Sequence, residues 1–267
     1  MATALVLLSA LTHALMNLLI KFSGDKLITI GILAGSAAII ISPALFMVEP
    51  PTKTTLLWLV LSIGVHLVYS SLLASAYQLH DLSVAYPLSR GAGVLVSCLL
   101  AVVFLREPLT AFNLLSVALV VSGIISISGR PNKVWLVCGL IGLCVGTYTA
   151  LDARGSRLQT WTFIVYLFVF YGLAMGGLAW LRRGKDFWSM AKKQWPQGLS
   201  AGAISLVSYG CILLALNLDQ VANVVVLREI SLVVGALLSV LFLKEVVTRV
   251  RWLGVVLICL GAICSQL

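Results

Sequence analysis

Apolar runs of about twenty residues follow one another along this chain, with only short polar breaks between them. A helix of that length is about 30 Å long, which matches the hydrocarbon core of a bilayer. Of the 267 residues, 61% are hydrophobic and 10% are charged, whereas about a quarter of the residues in a soluble domain are charged. The sequence therefore predicts an all-α, polytopic membrane protein with ten transmembrane helices.

The two halves of the chain resemble each other when the second is aligned on the first without gaps. Charged positions then coincide: Asp81 with Asp219, Arg90 with Arg228, and Glu107 with Glu245. This repeat predicts two five-helix units, residues 1–129 and 130–267, within one membrane domain. Because five is an odd number of spans, the second unit must enter the bilayer from the opposite side, which makes the architecture an inverted 5+5 repeat.

The distribution of basic residues predicts the orientation of the chain. Of the 18 Lys and Arg residues, 12 lie in the odd-numbered breaks and 4 in the even-numbered breaks. The positive-inside rule then places the odd-numbered breaks in the cytoplasm and both termini outside it, in a multi-pass protein of the cytoplasmic (inner) membrane. We interpret the net charge of +9 as attraction to anionic headgroups, not as nucleic-acid binding.

One short element occurs in both halves and carries a family resemblance. The pattern F-L-x-E-x-x-T occupies residues 104–110 and 242–248, and the run D-L-S-V-A-Y-P-L occupies residues 81–88. With ten spans and a five-plus-five repeat, the chain resembles the EamA-type branch of the drug/metabolite transporter superfamily. The resemblance implies a small-molecule transporter that works by alternating access, with a cavity lined mainly by the third, fourth, eighth and ninth spans.

The chain departs from the small multidrug relatives of this superfamily in its first span. Those relatives carry a membrane-embedded glutamate there, which binds both cations and protons. Here the first span has His13 and Asn17 and no acidic residue. Exchange of organic cations for protons through a first-span glutamate is therefore not expected.

Arg90 and Arg228 lie inside apolar spans at equivalent places in the two halves. An arginine at bilayer depth costs roughly 2.5 to 3.5 kcal/mol on insertion scales, so such residues are functional by default. A guanidinium is a planar fork of donors that matches a carboxylate, phosphate or phosphonate. The sequence predicts that they bind an anionic group, and the alternative is that each is neutralised and only locks spans together.

Glu229 follows Arg228 directly, and neighbouring residues point in different directions on a helix. It can therefore pair with Arg90 across the cavity, bind a substrate amine, or carry a coupling proton. His13 is the second coupling candidate because histidine titrates near neutral pH. We interpret Asp152 as part of an interfacial charge cluster with Arg154 and Arg157, and Glu107 and Glu245 as residues that order the turns.

Aromatic side chains of the third, fourth and eighth spans are further candidates. With them, the predicted substrate-binding residues are Arg90, Arg228, Glu229, Tyr69, Tyr209, His66 and Tyr86. The fourth span also holds a proline and glycines that favour a kink or a gate: Pro87, Gly91 and Gly93. Glycines four residues apart, such as Gly142 and Gly146, are expected to let helices approach closely.

These residues favour a secondary transporter for a small organic anion or zwitterion, such as an amino acid, carboxylate, phosphonate or phosphate ester. The alternatives are a proton-coupled exporter of drugs or organic cations and a flippase for lipid-linked sugars. The sequence has no paired carboxylates, HExxH or G-x-S-x-G pattern that would favour an enzyme. We expect no cofactor, metal or nucleic-acid partner, and a monomer or homodimer whose partners are the substrate and the lipid bilayer.

Overall fold

In the computed structural model, helices account for nearly all of the chain that is described. The structure describes residues 1–79, 82–128, 134–243 and 248–267. The side chains of residues 21, 77–79, 82–87, 128, 134, 239–243 and 251 are not part of that description. Asp81 and Glu245, which support the repeat, lie outside the described residues, and so does the predicted unit boundary at 129/130.

The first half of the chain supplies five α-helices and one turn of 3-10 helix. They are α1 (Ala2–Lys21), α2 (Lys26–Ile41), the 3-10 helix Ser42–Phe46, α3 (Lys53–Leu79), α4 (Leu82–Leu105) and α5 (Ala111–Ser128). The second half supplies six α-helices. They are α6 (Val134–Leu158), α7 (Thr160–Arg183), α8 (Asp186–Leu218), α9 (Val221–Arg228), α10 (Ile230–Leu243) and α11 (Arg249–Cys264).

Within the described ranges, 8 helices are long and apolar enough to cross a membrane, with α9 and the start of α10 counted as one. Two shorter apolar helices, Ala111–Ile127 and Trp252–Cys264, occupy the places of the fifth and tenth predicted spans. The prediction of an all-helical, polytopic membrane protein is confirmed. The ninth span differs from a simple helix, because Glu229 separates α9 from α10.

Several helix contacts of the first half have counterparts in the second half. Helix α5 lies against α11, and α2 lies against α7, so equivalent spans of the two halves meet each other. Helix α1 packs on α8 as α6 packs on α3. Helix α4 packs on α6, and α9 and α10 pack on α1. The division into residues 1–129 and 130–267 stays a prediction.

Glycine permits close contact between α4 and α6. A Cβ atom added at Gly142 would lie 2.3 Å from the Cβ atom of Ala92, and one at Gly146 would lie 2.4 Å from that of Val96. Real Cβ atoms essentially never approach so closely, so α4 and α6 contact each other through these two glycines. This is the close approach that the spacing of the two glycines predicts.

We expect Gly146→Ala to destabilise the folded protein by about 1–3 kcal/mol, because the added methyl group overpacks the contact between α4 and α6. Gly139→Ala is the matched control, since a Cβ atom there has nothing within 4 Å. Thermal unfolding of the two purified variants in one detergent measures the difference. A Gly146→Ala protein that unfolds at the same temperature as Gly139→Ala would contradict the packing described here.

Candidate functional site

The centre of the site is the interruption of the ninth span. Helix α9 ends at Arg228 and α10 begins at Ile230. The Glu229 amide donates to the Val226 carbonyl at 3.1 Å, and the Glu229 carbonyl accepts from the Leu232 amide at 2.9 Å. These short-range bonds tighten the turn between the helices, and the two adjacent charged side chains leave the turn in different directions.

Glu229 pairs with Arg90 of the first half. Nη2 of Arg90 donates to Oε1 of Glu229 at 2.6 Å, and its Nε donates to Oε2 at 3.3 Å. Both side chains are buried, with 5% and 1% of their surface exposed. Of the three partners considered for Glu229, the structure therefore shows Arg90, in a two-bond arrangement that suits a guanidinium and a carboxylate.

Arg228 faces a cavity instead of a carboxylate. Its Nε is buried and has no hydrogen-bond partner, and no carboxylate in the described ranges forms an ion pair with it. Its Cζ atom lies 5.6 Å from the centre of the Tyr209 ring, a distance typical of a cation–π contact. The hydroxyl of Tyr148 is a further neighbour.

The cavity has a volume of about 130 Å³ and brings together several of the predicted residues. Of these it is lined by His13, His66, Tyr69, Tyr209 and Arg228. The other polar and aromatic lining residues are Asn17, Ser70, Tyr148, Phe168, Tyr171, Ser205 and Ser208. The remaining lining residues are apolar, and Arg228 is the permanently charged side chain among the described lining residues.

The helices around the cavity differ from those that the resemblance implied. Helices α3, α8 and α9 contribute as expected, but so do α1, α2, α6 and α7. In the described part of α4, no side chain lines the cavity, since Arg90 is turned toward Glu229. Among the described side chains of the fourth span the expected lining is not observed, because an ion pair occupies Arg90. For Tyr86 the lining stays a prediction.

The fourth span also carries the predicted kink residues. Helix α4 is continuous through Pro87, so the interruption lies in the ninth span instead. A Cβ atom at Gly91 would lie 2.9 Å from Ile124, and one at Gly93 would lie 2.7 Å from Val145. Both glycines thus pack against neighbouring helices, and a gating role for the three residues stays a prediction. The side chains of Tyr86 and Pro87 lie outside the described residues.

Asp152 does not lie in the interfacial charge cluster predicted for it. It is fully buried and accepts hydrogen bonds from the hydroxyls of Ser62 and Tyr209. Nε2 of His66 lies 3.1 Å from its Oδ2, and the His66 ring stacks on Tyr148 with 4.0 Å between ring centres. Asp152 therefore forms a network behind the cavity wall, not an interfacial charge cluster.

Arg157 and Glu107 form a second ion pair at one end of the bundle. Nη2 of Arg157 lies 2.7 Å from Oε1 of Glu107, whose Oε2 accepts from the Val221 amide at 2.8 Å. Glu107 thus caps the first turn of α9, which agrees with its expected role in ordering a turn. Arg157 also donates to the carbonyls of Leu216 and Asp219.

The cavity and this ion pair lie at different depths of the bundle. The lining residues of α1 run from His13 to Ile20, and those of α2 are Ile30 and Leu33. The cavity thus extends from the middle of the bundle toward the α1–α2 connection. Glu107 follows the end of α4, at the opposite end of the bundle.

Comparisons with known proteins agree with this architecture. A model of the EamA-like transporter family matches residues 133–266, just over half of the chain. A model of the Small Multidrug Resistance protein family matches residues 28–120. A search of curated protein sequences finds no significant match.

Solved structures share the fold. In all, 27 chains of known structure match significantly. One of them, described only as the crystal structure of a protein, superposes with a TM-score of 0.74 and 17% sequence identity. The match covers 99% of this chain and 95% of the other. At that identity the likeness concerns the fold alone.

We expect Arg90→Gln or Glu229→Gln alone to destabilise the protein by about 3–5 kcal/mol, because each leaves a buried charge without its partner. The double variant removes both charges and is expected to recover most of that loss. Thermal unfolding of the four proteins, arranged as a double-mutant cycle, measures the coupling. Additive losses in the double variant would show that the two residues do not stabilise each other.

Proposed function

Because this chain belongs to the EamA-like transporter family, we propose that it carries a small organic anion across the cytoplasmic membrane by alternating access. Membership makes it a membrane transporter of a small molecule. The charge of the cargo and the residues that bind it are the proposal, and Arg228 is the residue assigned to its anionic group.

The observation that carries the proposal is the contrast between two equivalent arginines. Arg90 makes two bonds to Glu229, whereas Arg228 lines the cavity with its buried Nε lacking a hydrogen-bond partner. A buried donor without an acceptor is costly, and a bound carboxylate or phosphonate supplies two acceptor oxygens in one plane. A ligand of this kind satisfies the guanidinium while it is held away from water.

The side chains that line the cavity favour a small substrate with an apolar or aromatic body. The rings of Tyr69, Tyr148, Tyr171 and Tyr209 line a cavity of about 130 Å³. Aromatic side chains provide a large apolar contact area and hydroxyl groups that orient a ligand. Glu229 is held by Arg90 and does not line the cavity, so a simple anion fits this site better than a zwitterion whose amine needs a carboxylate.

The position of the cavity supports alternating access. It extends toward the α1–α2 connection, which the positive-inside rule places in the cytoplasm. At the other end, the Arg157–Glu107 pair joins α6 to the start of α9. Release on that side requires this contact to open, as expected of a carrier that exposes one site to each side in turn.

The match to the Small Multidrug Resistance family over residues 28–120 favours a second candidate, an exporter of organic cations. Faces of aromatic rings attract cations, and this cavity has several such rings. Arg228 opposes the assignment, because a fixed positive charge in the same cavity repels a cationic ligand.

We expect purified protein to be stabilised by benzoate but not by benzamide or benzamidine, which have the same planar shape without the negative charge. A ligand at 100 times its Kd raises stability by about 2.7 kcal/mol, which thermal unfolding detects. Arg228→Gln is expected to abolish the effect of benzoate. Arg154→Gln is the matched control, because Arg154 is exposed at the end of α6.

Stabilisation by benzamidine alone would replace the proposal with the organic-cation candidate. A wild-type protein that does not respond to benzoate, or an Arg228→Gln protein that responds as well as the Arg154→Gln control, would overturn the assignment of the anion to Arg228.

A further inference from the structure

The charges inside the bundle cancel when its two described cavity histidines are neutral. Arg90 and Glu229 neutralise each other through two hydrogen bonds. The remaining opposite charges, Arg228 and Asp152, both contact Tyr209: its ring faces the guanidinium, and its hydroxyl donates to the carboxylate. An empty site of this composition has no net charge among its described residues.

Binding of an anion disturbs that balance. The anion adds one negative charge to a site that holds equal numbers of positive and negative groups. A buried charge without compensation is costly in a medium of low polarity. A proton taken up together with the anion restores neutrality, so anion and proton are expected to favour each other's binding.

His66 is the group best placed to accept this proton. Its Nε2 lies 3.1 Å from Oδ2 of Asp152, so an imidazolium formed there has a carboxylate as its immediate partner. Its ring stacks on Tyr148, which is also a neighbour of Arg228. The proton and the anion would therefore bind on two sides of one aromatic group.

Other titratable groups are less suited to the task. His13 on α1 lies near Arg228, so a proton there places a second positive charge beside that guanidinium. Tyr171 on α7 and Tyr209 on α8 contact the His66 ring edge-on or tilted and are neutral phenols at neutral pH. Helix α2 contributes only apolar side chains to the cavity.

We propose that His66, held by Asp152, binds one proton for each anion that Arg228 binds, which makes the transport a proton–anion symport. This inference rests on the proposed function. On loading, the proton passes from water in the cavity to the His66 imidazole. On release, the imidazolium returns it to water as the anion leaves, and the site is again neutral.

The test counts protons during benzoate binding to the full-length protein in detergent. Isothermal titration calorimetry in two buffers of different ionisation enthalpy yields both Kd and the number of protons taken up. For wild type we expect uptake of about one proton per benzoate, and an affinity that falls as the pH rises.

Two substitutions have opposite expected effects on affinity. His66→Gln keeps an N–H donor toward Asp152 but cannot take up the proton, so benzoate binding becomes weak and independent of pH. Asp152→Asn removes the negative charge, which leaves Arg228 uncompensated, so benzoate binds without proton uptake and at least as tightly as in wild type. A merely structural role for the pair predicts weaker binding in both variants, with proton uptake kept.

The His13→Gln variant tests whether the other cavity histidine carries the proton. We expect proton uptake to persist in this variant. Uptake lost in His13→Gln but kept in His66→Gln would overturn the assignment. Benzoate bound by wild type with no proton uptake would overturn symport while leaving the anion carrier intact. Failure of wild type to bind benzoate at all would refute the proposed function, and this inference with it.

Discussion

The ion pair between Arg90 and Glu229 is the contact on which the arrangement of the site depends. Lipid offers no water to a buried charge, so each guanidinium in the bundle needs a counter-charge or a ligand. Glu229 meets this need for Arg90 through two bonds that connect the first half to the break between α9 and α10. Because Glu229 is turned toward Arg90, the adjacent Arg228 is turned toward the cavity.

The two halves are alike in their helices but not in their chemistry. Arg90 and Arg228 are equivalent in the repeat, yet the position equivalent to Glu229 is Gly91. That glycine packs against Ile124 and contributes no charge. The single carboxylate thus decides which arginine is neutralised: Arg90 pairs with it, whereas Arg228 lines the cavity.

Tyr209 contacts both the positive charge of Arg228 and the negative charge of Asp152. Its ring lies under the Arg228 guanidinium, and its hydroxyl and that of Ser62 donate to Asp152 beside His66. In the low-dielectric interior of a bundle, charges linked through one polarisable group influence each other strongly. The charged side chains around the cavity are therefore expected to act together and not as independent groups.

Apolar runs of bilayer length were enough to predict the helical spans, because a backbone in lipid has to satisfy its own hydrogen bonds. The repeat was also enough to single out Arg90 and Arg228. Neither Asp152 nor His66 is matched by the same residue type in the other half. Asp152 is close to Arg154 and Arg157 in sequence, whereas its partners on α3 and α8 could be identified only from the packing of the helices. Likewise no proline marks the break at Glu229. The amino-acid sequence thus determined that Arg90, Arg228 and Glu229 lie inside apolar spans. Only the tertiary structure added Asp152 to the buried charges and decided which of them neutralise each other, since that depends on distances between helices far apart in the chain.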